Sequence, residues 1–531
     1  MTLSALPPDP QRSDVSDGLG GGIAAAAGIV LASIALSRLL GFVRQAAINA
    51  QFGVGPEADA WYAAFRIPDT IFMLLAGGAL LSAVIPVYAE VKSRGDPEAL
   101  RQLLSGVATL VFLATAAFAA LGALIAEPLM TAIAPGFEPG THDLAVDASR
   151  WLMLSPVLLG LSALAKAALQ AERRFVPPAL SPILYNVGII IGALVLARAF
   201  GLQGLVWGTL IGAVLHLGVQ APGLASWGRF RFTWGLANPD VRRVVVLMLP
   251  RLLGVAVLQV SLIYVNILAS LQGPSAVAAL NNGFLLMLLP LGVFGMALGE
   301  AALPELAGRW AGGDRQLFAA RVSGVARHIV FLNLPAAVVL AILAEPLVAV
   351  LFQRGAFDAH ATEITATALR FFAIGLAGHA AVEILVRGFF AMQDTRTPVA
   401  IAAASLAFHM LLSWFLAQWY GIGGIALGLS VGVLVESVLL ALILHRRGGL
   451  QVGNPELQVA ATALTAAALM GLVIAVLRVT TWTDGPIGLD SALLLAAYLS
   501  AAVLAYLAVA WLLASRELTE LTTRLSRLRP R

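Results

Sequence analysis

Long runs of apolar residues dominate this chain and leave few folds open to it. Runs of about 18 or more apolar residues recur between Gly22 and Ala514. Hydrophobic residues make up 60% of the chain and charged residues only 12%, roughly half the charge of a typical soluble protein. Because lipid offers no hydrogen-bond partners, only helices and closed barrels can span it, and these runs are too continuous for barrel strands. The sequence therefore predicts an all-α polytopic membrane protein.

The charged connections give this protein a predicted orientation. We predict about fourteen membrane-spanning helices, and an even number places both ends of the chain on one side of the membrane. Lysine and arginine concentrate in alternate connections such as 90–101 and 229–243, whereas the connection 127–148 contains neither. By the positive-inside rule, the basic connections and both termini are cytoplasmic. Since topology accounts for the basic residues, we expect no nucleic-acid partner.

The chain contains an internal duplication. The tetrapeptide AEPL at 126–129 recurs 218 residues later at 344–347, and RLLG at 38–41 recurs at 251–254. Several matches in order, at a nearly constant offset, indicate two six-span halves with the same orientation, related by a pseudo-two-fold axis along the membrane normal. Secondary transporters have this architecture and bind their substrate between the repeats.

The spans and the duplication together predict the domain organisation. In chain order we expect a disordered cytoplasmic N-terminus (1–21), an N-lobe (22–222), a cytoplasmic linker (223–243), a C-lobe (244–444), two further helices (457–514) and a basic cytoplasmic tail (515–531). The first segment is polar and lacks the features of a cleavable signal peptide. The first span is therefore expected to remain in the protein as an anchor.

Two arginines, Arg38 and Arg44, interrupt the first apolar run. A charge at membrane depth costs roughly 3 kcal/mol or more, so such residues usually face a water-filled cavity. The guanidinium group stays protonated and makes bidentate bonds to phosphate. On a regular helix the two side chains point about 120° apart, and Gly41 between them would allow a bend. The alternative for each arginine is a side chain extended to the membrane surface.

The sequence gives little support to an enzyme. It has no cysteine, which excludes thiol catalysis and cysteine-ligated metals. It also contains no HExxH or aspartate-rich motif. We therefore predict no catalytic residue, no metal site and no cofactor. A transporter is favoured over a channel because duplicated halves suit alternating access.

Five longer motifs stand out along the chain. They are SRLLGFVR at 37–44, ADAWYAAFRIPD at 58–69, RFVPPALSPILYN at 174–186, LPLGVFGMALG at 289–299 and QDTRTP at 393–398. These motifs resemble those of the MurJ (MviN) family of lipid II flippases, within the multidrug/oligosaccharidyl-lipid/polysaccharide exporter superfamily. All five occur in the family's order and in the expected spans.

The resemblance implies two six-helix lobes around a cationic cavity, with a groove for a polyprenyl tail beside the last two helices. The implied substrate is lipid II, the undecaprenyl-pyrophosphate-linked peptidoglycan precursor, moved from the inner to the outer leaflet of the cytoplasmic membrane. Implied partners are this glycolipid and membrane lipids, with peptidoglycan-synthesis proteins as further candidates. Two alternatives stay open: an exporter of another polyprenyl-linked glycolipid or small amphiphile, and a non-transporting scaffold of cell-envelope assembly.

The predicted site has a cavity set, a gating set and a set of charges without an assigned role. The cavity set, for the substrate headgroup, is Arg38, Arg44, Arg251, Asn281 and Asn282. The gating set is Asp59, Arg66, Arg174 and Arg396. The unassigned charges at membrane depth are Glu300, Glu383 and Arg387.

Local spacing suggests simpler roles for several of these residues. Asp59 either pairs with a first-span arginine or caps the second helix. Arg174 and Arg396, which we align as equivalent positions of the two halves, either close the inward mouth or anchor the chain through salt bridges to neighbouring Glu172 and Asp394. Glu383 and Arg387 are four residues apart, which predicts an ion pair on one helix face.

Some charges that the family usually carries are missing here. Phe72 and Met73 stand where the family has an arginine, Leu285 stands where it has another, and Gln45 replaces an aspartate after Arg44. A pyrophosphate needs about two positive partners to enter a low-dielectric cavity. The smaller cationic set is the reason for keeping another glycolipid substrate open.

Overall fold

The computed structural model describes residues 11–75, 79–224, 231–451, 453–482 and 487–513. Within these ranges the chain forms helices and no β-strand, which confirms the predicted all-α class. The helices of the first half are α1 (Gln11–Phe52), α2 (Pro56–Leu75), α3 (Ala79–Ser93), α4 (Pro97–Leu124), α5 (Ala126–Ile133), α6 (Pro139–Leu152), α7 (Ser155–Ala171), α8 (Val176–Ile191), α9 (Ala197–Phe200), α10 (Leu202–Gly218) and α11 (Ala221–Leu224).

The second half continues with nine further helices. They are α12 (Pro239–Ser270), α13 (Ala276–Pro290), α14 (Ala297–Ala311), α15 (Arg315–Ile342), α16 (Ala344–Phe352), α17 (Ala359–Ala391), α18 (Arg396–Arg446), α19 (Asn454–Thr481) and α20 (Leu489–Leu512). Short π-helical segments, Gly192–Leu196 and Leu291–Met296, follow α8 and α13.

The number of spans agrees with the prediction once three long helices are considered. Among the described residues, 11 helical stretches are long and apolar enough to cross a membrane, and the bent pair within α12 makes 12. The 51 residues of α18 would extend about 76 Å, more than twice the roughly 30 Å hydrocarbon core. Gly421, with φ 54°, breaks this helix into two spans. The first predicted span lies within α1.

The N-terminal boundary differs from the prediction. Residues 11–21 belong to α1, where the polar sequence suggested a disordered segment. Extending a helix costs far less than starting one, so the apolar helix that follows can carry a polar first part. Residues 1–10 and the tail 515–531 lie outside the described residues.

The chain divides into two compact units. Unit 1 comprises Met1–Ile48, Ala64–Ala126 and Asp147–Leu252, and unit 2 comprises Asn49–Ala63, Glu127–Val146 and Leu253–Arg531. Two segments of the first half, 49–63 and 127–146, therefore pack with the second half. Neither segment contains a lysine or an arginine.

Each unit has its own packed interior. In unit 1, Tyr88 and its apolar neighbours on α3, α4 and α7 form one cluster, and Phe72 packs against it. In unit 2, residues of α15, α19 and α20 form another, where the Tyr506 hydroxyl donates to the carbonyl oxygen of Phe331 at 2.7 Å. Lipid provides no hydrophobic driving force between helices, so close packing of this kind holds the bundle together.

Local backbone geometry repeats between the halves. Gly201 and Gly421 have nearly the same conformation, with φ/ψ of 53°/−139° and 54°/−132°. Arg173 and Gln393, which follow the ends of α7 and α17, are both left-handed, with φ of 59° and 60°. Unrelated segments would not be expected to share these uncommon conformations at the same spacing. The backbone therefore supports the duplication read from the sequence.

This geometry corrects one alignment. Pro178 and Pro398 each lie five residues beyond the left-handed residue of their turn, so the two turns are offset by 220 residues. At that offset Arg174 corresponds to Asp394 and not to Arg396. The sequence alignment was therefore wrong by two residues at this turn, because it paired the two arginines and not the equivalent backbone positions.

Candidate functional site

In unit 1, Arg44 is fixed against α8 by an asparagine. The half-buried Arg44 donates through Nη1 to Oδ1 of Asn186 at 3.1 Å. Asn186 in turn donates through Nδ2 to the carbonyl oxygens of Ser37 (3.3 Å) and Pro182 (3.0 Å). The asparagine thus links α1 to α8 and limits the positions open to the guanidinium group.

A second arginine and one carboxylate share this neighbourhood. Asp69 on α2 interacts electrostatically with Arg66 and with Arg44. Tyr185, next to the linking asparagine, lies in the field of the same charges. Arg44 Nε and the Tyr185 hydroxyl are buried without a hydrogen-bond partner in the described structure. Buried donors left unpaired cost about 1–3 kcal/mol each, so this cluster is suited to receive a polar, anionic ligand.

A lysine that sequence reasoning overlooked lies close by. Lys166 on α7 is half-buried and interacts electrostatically with His216 on α10. The His216 ring meets Tyr185 edge-on at 6.1 Å, and its Nδ1 lies 2.7 Å from the Ser162 hydroxyl. Among the residues that the structure describes, no carboxylate pairs with this lysine. A lone lysine in a long apolar run was the available signal.

The other predicted cations of the cavity set are placed differently. Arg38 is exposed on α1 and does not join the Asn186 cluster. Gly41 lies within the continuous helix α1, so it does not provide the bend that the sequence allowed. Arg251 belongs to α12, and its side chain lies outside the described residues.

In unit 2, the predicted cavity asparagine Asn282 forms a buried reciprocal pair. Its Nδ2 donates to Asn49 Oδ1 at 3.2 Å, and Asn49 Nδ2 donates back to Asn282 Oδ1 at 3.1 Å. Neighbouring Asn281 donates to the carbonyl oxygen of Val277, one turn earlier on its own helix. The pair joins the end of α1 to α13.

Asp59 caps a helix distant in sequence. Its Oδ2 accepts from the amide of Ser275, and its Oδ1 accepts from the amide of Ala278, both at 2.7 Å. A carboxylate at a helix N-terminus satisfies free amides and interacts favourably with the helix dipole. The sequence suggested capping of α2, whereas the carboxylate caps α13.

Backbone contacts extend this connection. The amide of Ala356 donates to the carbonyl oxygen of Ala50 at 2.9 Å, and Asn266 Nδ2 donates to that of Ile133 at 2.8 Å. We call the contacts of 49–59 with Ser275–Asn282 and with Ala356 the latch. All of them lie within unit 2. Residues 49–59 and 275–282 contain no lysine or arginine.

The membrane-depth charges of unit 2 form the predicted ion pair. Arg387 donates through Nη1 to Glu383 Oε2 at 2.5 Å, one helical turn away. Its Nη2 lies 3.9 Å from an oxygen of Glu300, which is mostly exposed. The group carries one positive and two negative charges, so it is unsuited to bind a phosphate.

At the turn after α7, the basic residues have partners other than those we expected. Glu172 binds Lys92 Nζ at 2.7 Å and the Tyr88 hydroxyl at 2.5 Å, and these bonds lower its pKa. Arg174 instead donates to the carbonyl oxygen of Gly223 at 3.2 Å, while acting on Glu172 only at longer range.

The equivalent turn of the second half is held by Asp394. Its carboxylate pairs with Arg447 and accepts from the hydroxyl and amide of Thr397, whereas Arg396 is exposed and contributes only its backbone amide. Burial acts to raise the pKa of Asp394, but the hydrogen bonds of Thr397 and Arg447 outweigh it and hold the pKa at about 2.

Replacing this carboxylate gives a pH-dependent prediction. The pKa of Asp394 is lower in the folded protein than its usual 3.8, so its stabilising effect is complete above about pH 5 and is lost as the pH falls towards 2. Asp394→Asn should lower the thermal midpoint by about 2–4 °C at pH 7. The difference from wild type should shrink in melting curves recorded at about pH 4 and about pH 3. A constant difference would contradict the assignment.

Comparison with known proteins identifies the family. The family model described as "Lipid II flippase MurJ" matches residues 48–514. The lipid II flippase MurJ of Burkholderia cenocepacia is 34% identical over 422 residues, covering 78% of this chain and 82% of the relative. The probable lipid II flippase MurJ of Rhizobium meliloti is 31% identical over 494 residues, covering 90% and 91%.

Solved structures share the fold. The lipid II flippase MurJ in an inward closed conformation superposes with a TM-score of 0.77 at 23% identity, covering 91% of this chain and 97% of that chain. An inward-facing multidrug resistance MATE family transporter of the MOP superfamily gives a TM-score of 0.64 at 16% identity, covering 79% and 98%. The family match spans most of the chain and agrees with the motifs and the all-helical fold. This chain is a multi-pass membrane protein that belongs to the MurJ family of lipid II flippases.

Proposed function

We propose that this protein moves lipid II from the inner to the outer leaflet of the cytoplasmic membrane by alternating access. The named relatives support this function, and the observation that carries it is the Arg44 cluster of unit 1. There a guanidinium group fixed by Asn186 lies among buried donors that lack partners. Such a cluster suits a pyrophosphate, because charge-assisted bonds to fixed donors replace the water that the anion loses.

The charges suggest how the empty site stays stable. Asp69 interacts electrostatically with both Arg44 and Arg66, so it partly neutralises their positive charge when no substrate is bound. A bound pyrophosphate would replace Asp69 as the charge partner of these guanidinium groups. After the substrate leaves, the carboxylate would pair with them again. Arg66, predicted as a gating residue, is better assigned to this exchange because its charge partner is Asp69.

The latch supports a gating role for Asp59. Its two amide bonds and the Asn49–Asn282 pair would have to break for the non-basic side to open. Hydrogen bonds of this kind contribute about 1 kcal/mol each, so together they suit a state that is stable yet reversible. By the charge distribution this side faces the outer leaflet and both termini are cytoplasmic. Arg174 and Arg396 are assigned to the opposite, inward mouth.

Complementation tests the proposed function. The unmodified chain, expressed in a strain depleted of its own lipid II flippase, should restore growth and the appearance of lipid II in the outer leaflet. The matched variant Arg44→Ala, checked for equal abundance in the membrane, should fail. If the unmodified chain fails while present in the membrane, lipid II is not its substrate.

One observation favours a second candidate substrate class. Phe72 stands where the family usually has an arginine. It packs against the apolar cluster of unit 1, so this position supplies no positive charge. A polyprenyl-linked glycolipid with less headgroup charge would need fewer cations. Transport of a polyprenyl-monophosphate sugar in proteoliposomes, faster than transport of lipid II, would support this alternative.

Lys166 should contribute to headgroup binding and not to stability. It lies in the same unit as Arg44, and no described carboxylate neutralises it. We expect Lys166→Met to weaken lipid II binding about tenfold, as loss of one charged contact of about 1.4 kcal/mol would. Because a buried unpaired charge is itself costly, the thermal midpoint should stay equal or rise.

A matched control separates binding from structure. Lys92 pairs with Glu172 at the surface of the same unit, so Lys92→Met should leave lipid II affinity unchanged and slightly lower the thermal midpoint. Affinity measured for both variants, together with melting curves, distinguishes the two roles. A Lys166→Met variant that melts early and binds normally would show that the lysine is structural.

A further inference from the structure

The described part of the connection before α12, residues 231–238, packs against a helix of unit 1. Within residues 231–238 the chain is non-helical except for the short turn Gly235–Ala237. The amide of Arg231 donates to the Ser105 hydroxyl at 3.4 Å, and the amide of Thr233 donates to the Thr109 hydroxyl at 3.3 Å. The segment therefore lies along α4. We call residues 231–238 the strap.

Glycines bring the strap and the helix into direct contact. A Cβ on Gly235 would lie 2.6 Å from the carbonyl oxygen of Gly106, and one on Gly106 would lie 2.8 Å from the Val241 side chain. Any larger residue at these two positions would push the strap away from α4. Small residues at both positions are what such close approach requires.

The strap reaches membrane depth. Arg101 is the last charged residue of α4, and the rest of the helix, to its end at Leu124, is uncharged and mostly apolar. Thr109 lies eight residues beyond Arg101, about 12 Å further along the helix. Non-helical backbone at this depth must find hydrogen bonds within the protein. The hydroxyls of Ser105 and Thr109 supply two of them.

Large apolar side chains of the strap point outward at this depth. Phe232 is 66% exposed and Trp234 is 69% exposed. Tryptophan is enriched at the boundary between lipid headgroups and acyl chains, where its apolar ring and its polar N–H are both accommodated. Phenylalanine is one of the apolar residues that interfacial segments bury there. These two rings are therefore positioned to insert into the leaflet.

A cleft with positive charge opens between the strap and α4. It measures about 430 Å³ and is lined on the two sides by Arg101 and Arg231, with Glu98 and Trp234 beside them. Arg101 pairs with Glu98, which leaves the exposed Arg231 as the net positive charge. The cleft thus combines a cation with an aromatic ring at the level of the lipid headgroups.

Ion pairs hold the strap in place at its C-terminal end. Arg94 binds both carboxylate oxygens of Asp240, at 2.9 and 3.1 Å, and Arg243 binds Glu90 at 2.5 Å. Bidentate arginine–carboxylate pairs are geometrically specific. The cleft is therefore a built site and not a gap beside a loose loop.

We propose that this cleft binds the phosphate of an inner-leaflet anionic phospholipid, with Phe232 and Trp234 inserted among its neighbours. Arg231 holds the phosphate, and Glu98 confines Arg101 to the wall of the cleft. The bound lipid anchors the connection between the halves to the inner leaflet. The proposal rests on the basic side being cytoplasmic and not on lipid II being the substrate.

Phosphatidylglycerol is the probe for the site. Titration of the purified protein in detergent, followed by native mass spectrometry, should show one lipid bound more tightly than the rest. Arg231→Gln should weaken that binding about tenfold, corresponding to one charged contact, while Arg231→Lys retains most of it. The control Arg242→Gln removes an exposed arginine that does not line the cleft, and binding should be unchanged.

A depth measurement tests the strap directly, because the chain has no cysteine. Phe232→Cys labelled with bimane, in phosphatidylglycerol vesicles, should be quenched by lipids brominated near the headgroup and little by aqueous iodide. Strong iodide quenching, or equal loss of lipid in Arg231→Gln and Arg242→Gln, would overturn the proposal. Displacement of the lipid by millimolar inorganic phosphate would instead indicate a site for free anions and would also refute it.

Discussion

Arg44→Ala should abolish lipid II transport while leaving the protein folded. Its guanidinium group is positioned by Asn186 and has an unpaired buried Nε. A charged hydrogen bond to a desolvated phosphate contributes up to about 3 kcal/mol, so its loss predicts a fall in affinity of about 100-fold. Lipid II flipping in proteoliposomes measures this effect, and melting curves show whether the fold is intact.

Three further variants sharpen this result. Arg44→Lys keeps the charge but not the planar fork, so it should retain only part of the activity. Arg198→Ala removes an exposed arginine of the same unit and should change transport little. Asn186→Ala should also reduce affinity, since the guanidinium group would lose the contact that positions it. Normal transport by Arg44→Ala would show that this cluster does not bind the headgroup.

The sequence predicted the architecture well because its signals are local. Long apolar runs, alternating basic connections and repeated motifs are read directly along the chain, and they led to the helical class, the family and the duplication. The fourteen predicted spans include 398–418 and 421–444, which meet at the break of α18 at Gly421.

Side-chain partners were less predictable because they depend on contacts distant in sequence. Spacing alone could not show that Arg44, and not Arg38, would meet Asn186 on α8, 142 residues away. Asp59 lies where a helix cap is expected, yet its carboxylate caps α13, with partner amides 216 and 219 residues further on. Only the four-residue pair Glu383 and Arg387, which is local, formed as predicted.

Lys166 was missed for a different reason. The prediction of the headgroup site relied on the family motifs and therefore centred on the arginines of the first span. Lys166 belongs to none of the five motifs. The physical rule that a charge at membrane depth indicates function applies to any span. Applied evenly along the chain, that rule alone makes Lys166 a candidate ligand of the same kind as Arg44.

Cross-linking the latch should stop transport completely and reversibly. In Asn49→Cys/Asn282→Cys, the two thiols replace a reciprocal amide pair whose atoms lie 3.1 and 3.2 Å apart, and a short bifunctional methanethiosulfonate reagent can join them. If the latch must open once in each cycle, the joined protein cannot release its substrate to the outer leaflet. Reduction with dithiothreitol should restore flipping to the uncross-linked rate. Because the chain has no cysteine, no other thiol competes.

A second pair shows whether the effect is specific to the latch. In Gly283→Cys/Ala368→Cys, the bond would join α13 to α17 within the second half, where a Cβ at 283 would lie 3.0 Å from that of Ala368. Both helices belong to one lobe of an alternating-access cycle, so this cross-link should leave most of the transport intact. Asn49 lies on the first half's α1, so its bond to Asn282 crosses between the duplicated halves and should arrest them. Equal activity of the two cross-linked proteins would mean that the contacts of Asn49 and Asp59 are static, and that the moving gate lies elsewhere.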